Sequence, residues 1–472
     1  MIFLHRAELF RIQLKTRIPF RYGIATMTDV PHIFLRLNFD FDGKAQTGLA
    51  ADHLPPKWFT KDPARALGDE VDEMLAVIRA AVSHARTGRA GTPFAFWRYL
   101  HDAQANWAAV NGIPPLLAQF GTSLVERALI DAFCRAHGLT LTAALHDNQL
   151  GIELGALHPS LAGSAPHDWL PATPPAEVFA RHTVGLSDPL TEDEIPEDER
   201  IDDTLPQSLV ACIRAYGLRH FKIKINGDAP RDLDRMARIA TILARECRAG
   251  CAFSLDGNES FREVAGFADY VRDLQAGSGD ATFWSRLLFI EQPWHRDVAL
   301  TTAIGALARA WPDRPPIVID ESDAELSSLP IALGLGYAGT SHKNCKGVFK
   351  SLANACLLAQ RRAAGLPAIL SGEDLSNVGP VALLQDLAAA ACLGVTSIER
   401  NGHHYFAGLS HFPASIQSHV LAHHGDLYTK SAAGWPRLDP RDGRLPIRSV
   451  VAAPFGYAGE LDLSELAAET LG

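Results

Sequence analysis

Phe221-Lys-Ile-Lys-Ile225 alternates apolar and basic residues. Its period of two puts Lys222 and Lys224 on one face of an extended strand and Phe221, Ile223 and Ile225 on the other. The run is one of a series: short apolar stretches recur at residues 183–186, 221–225, 252–255, 287–290, 317–319, 339–341, 368–370 and 395–398. Segments of helical periodicity lie between them, such as 232–244 and 351–359. Strands alternating with helices in this number predict an α/β fold whose parallel strands close into a barrel. An open doubly wound sheet is the competing arrangement, but no GxGxxG follows any of these runs.

Outward from the barrel the pattern changes. Residues 9–15 and 33–39 are β-rich, and Asp40-Phe-Asp-Gly43 makes a turn, which predicts an antiparallel meander. Leu124, Ala128, Leu129, Ala132 and Phe133 fall at helical spacing, and His137-Gly138 ends the helix. Strands followed by helices make residues 1–155 an α+β unit. The Pro-, Ala-, Ser- and Gly-rich text around 159–175 predicts a linker over 156–182, and the acidic stretch 188–203 a solvated insertion. The barrel is expected over 183–410, with 411–472 packing back on the first unit.

The 472 residues are 47% hydrophobic and 21% charged, with a formal net charge of −10. That composition suits a soluble globular chain and offers no positive field for nucleic acid. No run reaches the length of a membrane span, and the charged start does not read as a signal segment, so a cytoplasmic protein is expected. Seven cysteines without a CxxC predict buried thiols in a reducing compartment.

The chemistry lies at the carboxyl ends of the apolar runs. Lys222 and Lys224, Asp256 with Asn258, Glu291, Asp320, Lys343, Glu373 with Asp374, and Glu399 with Asn401 follow one another once per βα unit. One strand-end charge is ordinarily a solvent contact, but a closed barrel gathers all of them at one mouth, where such barrels do their chemistry. Asp256, Glu291 and Asp320 end consecutive strands, so their oxygens can meet around one hard cation, Mg²⁺ or alternatively Mn²⁺. Lys222 and Lys224, like charges on one face, are expected to lower each other's pKa and make one of them a base. Lys343, across the ring, is expected to oppose Lys224 over a substrate carbon. Lys346 is its rival, pointing away if the strand stays extended and toward the site if it turns.

These residues resemble the enolase superfamily, and within it the muconate-lactonizing-enzyme subgroup. The resemblance rests on Lys222-Ile-Lys224, Leu255-Asp-Gly-Asn258, Ile290-Glu-Gln-Pro293, Ile319-Asp-Glu-Ser322 and Lys343-Asn-Cys-Lys-Gly347 in order. It implies a modified TIM barrel of seven βα units plus a closing strand, with an α+β capping domain. It further implies Mg²⁺ on Asp256, Glu291 and Asp320, and Lys224 and Lys343 as the acid/base pair. Lys222 is implied to contact the substrate carboxylate. The implied reaction removes the α-proton of a small carboxylate to give an enediolate. Racemisation or epimerisation comes first; cycloisomerisation or β-elimination is the alternative. A homo-oligomer is expected.

The chain also departs from that pattern. Residues 277–280 lengthen the interval from Asp256 to Glu291, Thr340-Ser-His342 precedes Lys343, and Glu399-Arg-Asn401 stands where dipeptide epimerases carry Asp-x-Asp. His342, next to Lys343, is turned the other way by alternation and reads as a packing histidine. Arg21-Tyr-Gly-Ile-Ala-Thr-Met-Thr-Asp29 and residues 49–58 match the capping loops that close the mouth, so Arg21, Asp52, Lys57 and Trp58 join Asn258, Glu373, Glu399 and Asn401 as candidates for substrate contact. A zinc hydrolase would need HxH on the first strand, which is missing, and His403-His404 reads as a solvent-facing pair. A barrel that holds metal without turnover is the non-enzymatic alternative.

Overall fold

The computed structural model describes residues 1–22, 25–247 and 250–471. Three long strands, β1 (Ile2–Tyr22), β2 (Ala25–Phe41) and β3 (Lys44–His53), form an antiparallel meander. They run well beyond the two apolar cores at 9–15 and 33–39, because the β1–β2 ladder continues through polar residues to Tyr22↔Ala25. The helices α1 (Pro56–Phe59), α2 (Leu67–Thr87), α3 (Pro93–Asn111) and α4 (Pro115–His137) follow. Gly138, at φ +65, ends α4 at the predicted position.

α4 is buried on nearly all sides. It lies against the sheet so closely that a Cβ on Gly48 would come within 2.0 Å of the Ala128 carbonyl oxygen. Only glycine permits that approach.

Eight parallel strands form the barrel: β4 (Glu177–Val184), β5 (His220–Lys224), β6 (Ala252–Asp256), β7 (Leu287–Glu291), β8 (Ile317–Ile319), β9 (Gly339–His342), β10 (Ile369–Gly372) and β11 (Ser397–Glu399). Each pairs with the next, and β11 pairs with β4 to close the ring. Seven of the eight fall within a few residues of the predicted runs. β4 starts at Glu177, inside the stretch expected to be linker, because its inward side chains are polar. Arg181 bonds Glu373, and Thr183 bonds Glu399 at 2.6 Å.

β12 (Tyr428–Lys430) and β13 (Pro436–Leu438) form a separate pair. β14 (Arg444–Pro446) runs antiparallel to β4, and β15 (Ala467–Glu469) joins the edge of β1. The segment after residue 411 therefore touches both units. No helix among the described residues is long and apolar enough to cross a membrane.

Candidate active site

The strand register aligns the chemistry in one layer. Lys224 stands opposite Asp256, and Asp256 opposite Glu291. Lys222, Lys224, Asp256, Glu291, Asp320, Lys343, Glu373 and Glu399 are all buried, although each is a charged residue type. Burying so many charges is tolerable only where they pair.

Lys222 makes most of the pairs. Its Nζ lies 2.9 Å from Asp256, 2.8 Å from Glu291, 2.9 Å from Glu373 and 2.8 Å from Glu399. Lys224 donates to Asp256 and to Asn258 Oδ1, both at 2.5 Å, so the two lysines share one face as the alternation predicts. Lys343 meets Asp320 Oδ2 at 2.5 Å and Glu373 at 3.2 Å, and lies 4.5 Å from the centre of the Trp58 ring.

Lys346 takes the turned alternative. Asn344–Lys346 forms a 3-10 turn that returns its Nζ to 2.8 Å from Asp320 Oδ1.

Electrostatics correct one expectation. Burial by itself would lower the Lys222 ammonium, but the four carboxylates outweigh it and hold the pKa well above the ordinary lysine value. Lys343 is raised in the same way, against burial, chiefly by Asp320 and Glu373. Repulsion between lysines therefore does not make Lys222 a base in this arrangement. Burial raises the Asp256 and Asp320 carboxyls, yet the adjacent lysines hold both below the usual range. Glu291 goes the other way: burial, reinforced by the charges of Asp256 and Glu373, pushes it well up, and Lys222 only partly opposes this.

The three expected metal ligands are brought to one mouth, but the tightest set differs by one member. Glu291, Asp320 and Glu373 each offer an oxygen within 4.8 Å of the others. Asp256 pairs instead with Lys222 and Lys224. Glu291 Oε2 is a buried carboxylate oxygen without a hydrogen-bond partner among the described residues. An all-oxygen donor set with an orphaned anionic atom fits a hard divalent cation.

Above this layer is a cavity of about 40 Å³ lined by Lys222, Lys224, Asn258, Lys343, Glu399 and Asn401, with Trp58 from the capping unit. Phe20, Met27, Pro55, Asp374, Leu375 and Ser376 complete the lining. Phe20 and Met27 belong to the parts of β1 and β2 that extend past the runs at 9–15 and 33–39 read as strands from the sequence.

Other candidates lie elsewhere. Arg21 is exposed and lines a separate cavity of about 760 Å³ beside the acidic insertion. Asp52 is buried in an ion pair with Arg127 at 2.8 Å. Lys57 reaches Glu70 at 2.5 Å. Gly23 and Ile24, within the first predicted capping loop, are outside the described residues. His342 is buried as expected, and both of its ring nitrogens are without a partner among the described residues. His403 and His404 are not solvent-facing, since both are buried. The turn after β11 folds inward against Tyr216, where their imidazoles find aromatic contacts.

Neither a family model nor a curated protein sequence matches this chain. Solved structures do match. A muconate lactonizing enzyme from Pseudomonas fluorescens complexed with muconolactone superimposes with a TM-score of 0.60 at 18% identity, over 98% of this chain and 97% of that one. The L-Ala-D/L-Glu epimerase of Bacillus subtilis, a substrate-liganded complex, gives 0.54 at 16%, over 94% and 98%. A dipeptide epimerase from Cytophaga hutchinsonii, complexed with Mg and D-Ala-L-Val, gives 0.57 at 14%, over 99% of both chains. The eight-stranded barrel under its α+β cap is thus the fold of solved mandelate racemase/muconate lactonizing proteins.

Proposed function

We propose that the protein is an enolase-superfamily enzyme that removes the α-proton of a small carboxylate, and that it racemises or epimerises this substrate with Lys224 and Lys343 on opposed sides. The observation that carries the reading is that both lysines, from β5 and from just after β9, line one cavity together with Lys222, whose ammonium meets Glu291 at 2.8 Å. Glu291 and Asp320, with Asp256 or Glu373, would hold Mg²⁺, or Mn²⁺ in its place. When bound, the cation supplies positive charge for the substrate carboxylate and for the enediolate. Carboxylates engaged in that way no longer stabilise the lysine ammonium groups so strongly, which brings a lysine toward the neutral form that a base requires.

The chain's own groups do the rest. Lys222 faces the substrate carboxylate, Lys224 takes or returns the proton on one side, and Lys343 acts on the other. Phe20, Met27, Trp58 and Leu375 exclude water and favour an apolar substituent on the substrate. Glu399 is already engaged by Lys222, Thr183 and Asn401, which leaves little for a substrate ammonium and disfavours a dipeptide.

A second reading has its own support. Lys343 is pinned between Asp320, Glu373 and the Trp58 face, as a fixed charge would be rather than a mobile base. In a cycloisomerase or β-elimination enzyme Lys224 alone would move the proton, and Lys343 would steady the enediolate.

Deuterium incorporation from D₂O into a panel of carboxylic acids, followed by NMR with Mg²⁺ present, separates these. Racemisation predicts that Lys224→Ala abolishes exchange of one enantiomer and Lys343→Ala exchange of the other. Loss of all exchange in Lys224→Ala, with Lys343→Ala only slowed, supports the one-base reading. Full exchange in both variants defeats a lysine mechanism, and no exchange in the unaltered protein over a wide panel points to a metal-binding relic.

A further inference from the structure

A second cluster of ligand atoms lies outside the barrel mouth. His182 on β4, Cys212 on the helix Leu209–Tyr216 and His404 on the short helix Gly402–Tyr405 each place a donor atom within 4.8 Å of the other two. Cys212 Sγ is 3.5 Å from His404 Nδ1, and all three side chains are buried. Because Arg181 and Thr183 turn into the barrel, strand alternation turns His182 outward, toward the helix that carries Cys212. His403 Nε2 lies 3.2 Å from His182 Nδ1. A ring nitrogen engaged in this way fixes the imidazole's orientation and leaves Nε2 as its donor, as the neighbours of metal-binding histidines do. His403 Nδ1 is itself buried without a partner among the described residues.

We propose that His182, Cys212 and His404 form a binding site for a borderline or soft transition-metal ion, Zn²⁺ foremost, distinct from the carboxylate centre at the mouth. A thiolate with two imidazoles is a donor set that such ions prefer and Mg²⁺ does not. Burial holds all three of the clustered imidazoles, those of His182, His403 and His404, in the neutral form, so their lone pairs are available. Burial also raises the Cys212 thiol, so formation of the metal–sulfur bond releases one proton to solvent, with no change of oxidation state. Asp188 and Glu192 act electrostatically on Cys212 and supply negative charge near the ion; Arg17 supplies the opposing positive charge.

The site would be a clip. Its donors come from the first barrel strand, from the helix after the acidic insertion and from the turn after the last strand, so a bound ion ties the seam where β11 meets β4. Arg17 of β1 donates to the His404 carbonyl at 3.2 Å, which carries the clip to the capping hairpin.

The test uses the full chain with Mg²⁺ in excess and Co²⁺ as the probe. A cysteine ligand gives a near-ultraviolet thiolate-to-cobalt charge-transfer band, which a carboxylate centre cannot produce. The expected result is that band in the unaltered protein, its loss in Cys212→Ser, and loss of the tetrahedral visible bands in His404→Gln. Absence of the charge-transfer band from the unaltered protein, or its persistence in a folded Cys212→Ser, overturns the proposal. Zinc-edge absorption of the unaltered protein with one equivalent of Zn²⁺ needs no variant: a shell containing sulfur and nitrogen supports the site, and an all-oxygen shell overturns it. Neither readout depends on turnover, so the result stands apart from the fate of the proposed reaction.

Discussion

A single ammonium, Lys222, stands among four carboxylates at the barrel mouth. Removing one partner of a buried ion pair leaves the other charge uncompensated, which costs about 3–5 kcal/mol. Lys222→Met is therefore expected to lower stability by about that amount at neutral pH, measured by urea unfolding. The loss should shrink at pH 5, because Glu291, already pushed up by burial, takes a proton readily once Lys222 is gone. A Lys222→Met protein as stable as the parent at pH 7 would show that the four acids do not depend on this ammonium. The identities of these charged residues were legible in the sequence, since each lies at the carboxyl end of a short apolar run. Their pairings were not. Alternation says which face a lysine occupies, but the choice of Glu373 over Asp256 in the tightest oxygen set depends on how β10 sits against β9, which no local pattern encodes.

Among the elements, α4 ties the cap to the barrel. Glu126 on α4 is buried and accepts hydrogen bonds from the Val348 and Phe349 amides, at 3.0 and 2.6 Å. These amides open the helix Val348–Ala363, directly after the turn that carries Lys346. Gly347, at φ +103, makes the bend, and a Cβ there would approach Glu126 Oε2 to 3.2 Å. Burial pushes the Glu126 carboxyl up to about 7, although the two amides, Arg127 and Lys350 pull it down. The folded state then holds a proton that the unfolded chain releases near the ordinary value of 4.5, so stability falls as pH rises between the two, by about 3 kcal/mol in total. Glu126→Gln cannot titrate. Between pH 4.5 and 7.5 the unaltered protein is expected to lose about 3 kcal/mol relative to this variant, read from urea midpoints at each pH; parallel curves would refute it. The helix and its glycine stop were readable from spacing, but nothing local shows that a barrel helix covers the face that carries Glu126. The start of β4 escaped for a related reason: Arg181 and Thr183 face a polar barrel interior and interrupt the apolar pattern that Val178, Phe179 and Ala180 begin.

At the scale of the whole molecule, the cap closes the mouth. The cavity above the lysines, at about 40 Å³, is far below the roughly 300 Å³ or more of an ordinary small-molecule pocket. A carboxylic acid with any substituent needs more, so the β1–β2 hairpin and Trp58 must move to admit it. Arg17 is the latch. Its guanidinium holds Asp203 at 2.6 and 2.9 Å and donates to the carbonyls of Leu205, Pro206 and His404, each at 3.2 Å. Three residues on, the Phe20 ring lies 4.2 Å from that of Tyr405. One β1 segment is thereby fastened to the acidic insertion and to the turn after β11. Lids so fastened commonly make opening, rather than chemistry, the slow step. Once a substrate is in hand, kcat of the unaltered enzyme is expected to fall in proportion to added microviscosogen such as sucrose. Arg17→Ala should remove most of that dependence and raise KM about tenfold, the equivalent of about 1.4 kcal/mol of lost closure. A kcat indifferent to viscosity in the unaltered enzyme would place the slow step in proton transfer, and the latch would then matter to KM alone.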